Sequence, residues 1–257
     1  MMHLTWRQKD FNDDIEFILF HQRDNTPEFW RKQLFRAYPE LNYEYTKSLP
    51  ESERFEYITE QMRISAQKRQ GNINKSIKMF EGAWAPIAKK LNAAYSSAFD
   101  NDCTNILNDM VAEVGLNPIC PRNISDHSFH VYHYFETTYA MSTALHEITH
   151  FAWFYFWQKH FKDNPGEYDY PNIKWLMSEI VVETIIRNSK INDLVEQPKW
   201  IAYSYFYDMN INGELIFETM KKLYLNRKDI YDFMEKSFDW IKANETELRA
   251  KIAEAEG

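Results

Sequence analysis

Glycine is scarce in this chain: 257 residues hold only 6 of them. Extended Gly-rich linkers are therefore excluded, and extensive disorder is not expected. Cysteine is scarcer still, with Cys103 and Cys120 the only two. A disulfide framework cannot be built from that pair; one bridge is the maximum, and two reduced thiols are the expectation. Positive charge is in deficit, 30 Lys and Arg against 38 Asp and Glu, for a formal net charge of -8. Affinity for phosphate rests mainly on Lys and Arg, so this balance argues against a nucleic-acid partner, and polyanions and membranes would be repelled. Long apolar runs are missing too. The longest strongly apolar stretch, Phe151 to Trp157, is far too short to span a bilayer. Met1 to Asp14 carries Arg7, Lys9 and three aspartates but no apolar run before a small-residue cleavage site. No secretory signal is read there, and a cytoplasmic location is expected, with export by a signal-less route left open.

Hydrophobic residues make up 44% of the chain and aromatics 16%, enough for a substantial core. The first hundred residues read as helices. Thr26-Pro27-Glu28 is a helix start leading into Phe29, Trp30, Leu34 and Phe35 at helical spacing. Pro50-Glu51 starts a second helix through Phe55, Ile58, Met62 and Ile64, and a third runs from about Asn74 to Tyr95. Pro86 inside the third predicts a kink or break. From Asn101 to Phe135 the texture changes, and His127 to Phe135 reads as a strand with Phe129, Val131, His133 and Phe135 on one face. Helical patterns then resume, the last from about Asp229 through Ile230, Phe233, Met234, Phe238, Ile241, Leu248 and Ile252. The expectation is an α+β fold, predominantly helical, with a small sheet near the middle. Residues 1–100 would form a helical subdomain and 101–257 the chemistry-bearing domain, or both would share one compact domain.

Residues 146–150 read His-Glu-Ile-Thr-His. On a helix, positions i and i+4 lie on one side, about 6 Å apart along the axis, so two imidazoles can converge on one metal ion. Glu147 is turned about 100° away and can lie beside a water on that metal instead of coordinating it. Met141 to Trp157 contains no Gly or Pro and is apolar on nearly every side, so this helix should be buried. Burying His146, Glu147 and His150 without partners would be costly, and a metal supplies the partner. A surface pair of histidines is the competing account, and the apolar surroundings speak against it. A second apolar helix carries Glu179 and Glu183, again four apart, in Trp175-Leu-Met-Ser-Glu-Ile-Val-Val-Glu. Acids are seldom buried unless they are paired or bind metal.

HEITH followed by SEIVVE resembles the gluzincins, the thermolysin-like zinc metallopeptidases with an HExxH helix and a glutamate ligand on a later helix. The likeness covers roughly residues 127–187. It implies a zincin-like core with a small sheet next to the HExxH helix and one Zn2+ held by His146, His150 and Glu179. It also implies that Glu183 orients His146, with Glu where that pattern often has Asp. The metzincin pattern is excluded, because Trp153 and Phe156 stand where it needs Gly and a third His. An edge strand upstream of the metal helix holds extended peptide in that family, and His127 to Phe135 stands where that element should be.

The implied chemistry is hydrolysis of a peptide or protein substrate by a metal-activated water, with Glu147 as general base. The oxyanion needs a further donor, and Tyr203, Tyr205 and Tyr207 are candidates, with His130 and His133 behind them. Two alternatives stand beside this reading: a zinc-binding regulatory or interaction module without peptidase activity, and a zinc hydrolase of a non-peptide substrate. Asp208-Met-Asn210-Ile-Asn212-Gly213 copies the first half of an EF-hand loop, but Thr219 occupies the position of the required Glu. A turn leading into a helix near Glu214 accounts for it better.

Overall fold

The computed structural model describes residues 4–163 and 165–256. In chain order these form β1 (Leu4–Gln8), α1 (Phe11–Phe20), α2 (Glu28–Ala37), α3 (Tyr43–Ser48) and α4 (Glu51–Ala98). Next come β2 (Met110–Gly115), β3 (Arg122–Asn123), β4 (Ser128–Tyr132), α5 (Thr137–Phe161) and α6 (Ile173–Arg187). The chain ends with β5 (Asn210–Ile211), β6 (Glu214–Leu215), α7 (Ile216–Leu225), α8 (Ile230–Ala243) and α9 (Glu245–Glu256). The fold is α+β and predominantly helical, as the patterning indicates.

The sheet has strand order β1-β2-β4-β3, with β2 parallel to both β1 and β4, and β3 antiparallel to β4. Residues directly opposite one another share a face. One row runs Trp6, Ala112, Phe129, Arg122, and the next runs Arg7, Glu113, His130. The first row faces helices: Trp6 packs on Phe80 and Trp84 of α4, and Phe129 on Phe151 of α5. The second is ionic. Glu113 pairs with Arg7 at 2.7 Å and Lys9 at 2.5 Å, His130 approaches it at 3.6 Å, and Phe17 of α1 packs on the His130 ring.

Three expectations need correction. The strand expected at His127 to Phe135 is shorter and is not an edge: β4 lies between β2 and β3, and all five of its residues are buried. Helices cover both of its faces, so its alternation does not separate core from solvent. The first hundred residues are not all helical either, since β1 joins the sheet as its outermost strand beside β2. The helices expected either side of residue 70 are one element, α4, 48 residues long and about 72 Å from end to end. Pro86 does not interrupt it. The carbonyl deprived of its partner belongs to Gly82, four residues earlier, and both residues lie on the exposed side where water can satisfy it.

Residues from either side of position 100 share one hydrophobic cluster, which runs from Leu4 to Leu248. The last helix does start at Asp229, whose side chain accepts from the Asp232 N–H, but it divides at Asn244 into α8 and α9. The EF-like segment is a hairpin. Asn212 and Gly213 both take positive φ, 54° and 86°, the requirement of a two-residue turn between β5 and β6. No described helix is long and apolar enough to cross a membrane. Cys103 and Cys120 are free thiols.

One buried acid ties α1 to the sheet. Asp14 is 2% exposed and accepts from the backbone N–H groups of Leu116 and Asn117. A Cβ on Gly115 would come within 2.9 Å of its carboxyl carbon, so only glycine allows this approach. Burial pushes Asp14 up to about 6, against the pull of the two N–H donors. Because the folded value lies above the unfolded one, the folded chain keeps a proton between pH 4 and 6 that the unfolded chain has released. Asp14 therefore costs stability as pH rises through that window, up to about 3 kcal/mol. Asp14→Asn keeps one carbonyl acceptor and cannot ionise. Urea unfolding at pH 4 and pH 7 should show the variant gaining on the wild type by that order, and a pH-independent difference would refute the assignment.

Candidate metal centre

Helix α5 is enclosed along its middle: between Ala140 and Trp157 only Thr143 and Tyr155 escape burial. No Gly or Pro interrupts it, and it stops where Lys162 turns to the left-handed conformation at φ 54°. Helix α6 packs beside it, buried continuously from Leu176 to Ile186. Burial leaves His146 7%, Glu147 5%, His150 0% and Glu179 3% exposed, so their charges are answered inside the protein or not at all.

The two helices bring three ligand atoms together. His146 Nε2 and His150 Nε2 are 3.0 Å apart, and Glu179 offers Oε2 at 3.7 Å from the first and Oε1 at 3.6 Å from the second. A tetrahedral ion with bonds of about 2.0–2.1 Å separates its ligands by roughly 3.3–3.4 Å. The nitrogen–nitrogen separation is shorter than that value and the two nitrogen–oxygen separations, which end on different oxygens of Glu179, are longer. Among the described residues this is the group of His, Cys, Asp or Glu able to hold a metal ion. Two imidazole nitrogens 3.0 Å apart repel unless a proton or a cation lies between them, and neither His146 Nδ1 nor His150 Nδ1 has a hydrogen-bond partner.

The charges inside the centre pull in opposite directions. Burial opposes the charged form of His146, but Glu179, Glu147 and Glu183 outweigh it and hold this imidazole above its ordinary range. His150 falls to about 3, through burial first and then the cations Arg122 and His146. Burial would raise Glu179, yet His150 and Arg122, with His146 behind them, draw it well below the carboxylate range. Burial lifts Glu147 to about 7, with only part of that rise offset by His146 and Arg122. Its Oε2 is buried and makes no hydrogen bond, and its nearest cation, Arg122 Nη1, is 3.8 Å away.

Arg122 is the residue that sequence reasoning missed. It stands on β3 opposite Phe129, so it shares the helix-covered face and donates from Nη1 to Glu179 Oε1 at 2.9 Å and from Nη2 to Ser178 Oγ at 3.3 Å. A lone arginine between Pro121 and Asn123 carries no periodic signal, and a two-residue strand is too short to declare itself.

Glu183 is buried beside the centre with other partners than the expected one. Its Oε1 accepts from Tyr207 at 2.5 Å and from Arg187 Nε at 2.7 Å, while its Oε2 and His146 Nδ1 each lack a partner. The tyrosines separate by what their hydroxyls do. Tyr207 is fully engaged, donating to Glu183 and accepting from the Ile201 N–H at 2.9 Å. Tyr205 donates to Glu256 of α9 at 3.1 Å. Tyr203 makes no hydroxyl hydrogen bond among the described residues and sits between Trp30 and Trp175, with ring centroids at 5.1 and 6.1 Å. Burial first, and then the field of Glu179, raises its pKa well above the ordinary value. His130 belongs to the ionic face of the sheet, away from α5, and His133 Nδ1 meets the Gly115 carbonyl at 3.0 Å. Neither joins the group.

Searches against protein-family models, curated proteins and solved structures match nothing to this chain. Fold and site define a predominantly helical α+β protein with a buried two-histidine, one-glutamate centre that could hold a metal ion.

The different uses of the tyrosine hydroxyls predict different losses. Tyr207→Phe strips two buried groups of their partner and should cost about 1–3 kcal/mol in urea unfolding. Tyr203→Phe removes no hydrogen bond and should stay within about 0.5 kcal/mol of wild type. Equal losses would show that the two hydroxyls do the same work.

Proposed function

We propose that this protein is a zinc-dependent metallopeptidase of gluzincin type, with His146, His150 and Glu179 as ligands and Glu147 as general base. One observation carries the reading: three ligand atoms within 4.8 Å of one another lie beside a buried glutamate whose Oε2 has no hydrogen-bond partner. Two imidazole nitrogens and one carboxylate oxygen suit zinc, since calcium and magnesium prefer more oxygens and softer ions prefer sulfur. Three protein ligands leave a fourth position open, the pattern of a catalytic site.

Zinc bound there would polarise a substrate carbonyl and lower the pKa of a water towards 7. Glu147 takes the water proton at Oε2 and hands it to the leaving nitrogen. Tyr203 is the tyrosine favoured to donate to the developing oxyanion, because its hydroxyl is uncommitted and its neighbours include Glu147 and Glu179. Tyr207 is better read as a brace for Glu183. Peptide backbone would be received at the open edge of β3 and not at β4, and a strand of two residues limits that contact to very few hydrogen bonds.

A second reading, a zinc-binding regulatory module, has one observation in its favour: Glu179 already has a cation partner in Arg122. Two measurements separate the readings. Elemental analysis of wild type and Glu147→Gln should find about one zinc per chain in both, with His146→Ala depleted. A peptide-library digest should show cleavage by wild type and a loss of about 100-fold or more in Glu147→Gln. Zinc without cleavage favours the regulatory module; no zinc in metal-replete wild type removes both readings.

A further inference from the structure

Arg122 is hard to explain as packing alone. It is delivered by the edge strand β3, while the ligands come from α5 and α6, so it joins three elements at the centre. Two of its nitrogens are used, on Glu179 and Ser178, but Nε is buried with no acceptor. Phe154 lies against the guanidinium, its ring centroid 5.8 Å away. Arg31 and Arg54 also have a buried Nε without an acceptor, so what sets Arg122 apart is its place among the acids of the centre. What holds it here is carboxylate. Among the described residues Arg122 is the one Lys or Arg in ion-pair contact with Glu179 or Glu147, at 2.9 and 3.8 Å. The other arginine near the centre, Arg187, is committed to Glu183.

We propose that Arg122 is a resident counter-cation of the centre: it holds Glu179 in place before metal arrives and competes with the metal for that carboxylate. The inference rests on the metal-site reading above. Two buried carboxylates at one site are costly without a cation, and a folding intermediate cannot wait for an ion to supply it. The guanidinium meets that need from within the chain, so folding does not depend on metal. A divalent ion among the three ligand atoms would then share Glu179 with a fixed positive charge, and metal affinity is held below what the ligands alone would give. Arg122 is a positioning residue in this account, acting through Glu179.

The test uses the full-length protein, stripped with a chelator or loaded with zinc. Metal-free wild type should be folded and melt cooperatively. Metal-free Arg122→Met should melt roughly 5–15 °C lower, the consequence of leaving buried carboxylate unpaired. Zinc should restore most of that loss, so zinc raises the Tm of the variant more than that of wild type. By titration the variant should bind zinc at least about tenfold more tightly, with Arg122→Lys between the two. If metal-free Arg122→Met fails to fold, Glu179→Gln in the same chain should recover folding, because the stranded charge is gone. Failure to recover it, an unchanged metal-free Tm, or equal zinc affinity in wild type and Arg122→Met overturns the proposal and leaves the metal reading intact. If neither protein binds zinc, the metal reading falls, and a remaining Tm loss marks Arg122 as an ordinary structural ion pair, which also overturns the competition.

Discussion

Desolvation of charge is the constraint on which this structure depends. Helices α5 and α6 are apolar almost all round, and between them they carry His146, Glu147, His150, Glu179 and Glu183 into the interior. Each of these groups would shed its charge or unfold its surroundings unless something answered it. Glu179 is answered by Arg122, and Glu183 by Arg187 and Tyr207. His146 draws on the carboxylates around it. Glu147 and Glu183 each keep one buried oxygen that meets nothing, and of the two only Glu183 has its other oxygen held by short hydrogen bonds, to Tyr207 and Arg187.

The rest of the fold can be read as support for that arrangement. The sheet lays its apolar row against α4 and α5 and turns its ionic row, Arg7, Glu113 and His130, to the opposite side. Tyr95 of α4 reaches α5 from another direction, donating to the Leu145 carbonyl at 2.7 Å and pairing with Thr149 at 2.8 Å. These contacts fall at the residues immediately before His146 and His150, so α4 holds the metal helix at the turns that carry its ligands. A centre built on two packed helices is more rigid than one built on loops, and three ligand atoms within 4.8 Å of one another require that rigidity.

Much of the centre was legible because helical periodicity is local. His146 and His150 at i and i+4 in an apolar run, and Glu179 in another, announce buried helices with polar groups aimed one way. Asp229 as a helix start was legible for the same reason: capping is decided within four residues. The misreadings have a common cause. β1 is a five-residue strand that is stable only because β2, more than a hundred residues later, accepts it. α4 runs through Pro86 because the freed carbonyl faces water, and exposure is a tertiary property. The partners of Glu183 lie 4 and 24 residues away, and nothing in the spacing chooses them over His146.

By itself, then, the order of residues determined two apolar helices, the imidazole pair that one of them bears, and the carboxylates on the other. Those follow from a period of 3.6 residues and from the cost of burying polar groups. Only the tertiary structure decided which carboxylate meets the imidazoles, that Arg122 closes the group from an edge strand, and that Tyr203 is the tyrosine left uncommitted. The physical reason is that ion pairs and hydrogen bonds between distant segments are set by register and packing, and no local pattern encodes either.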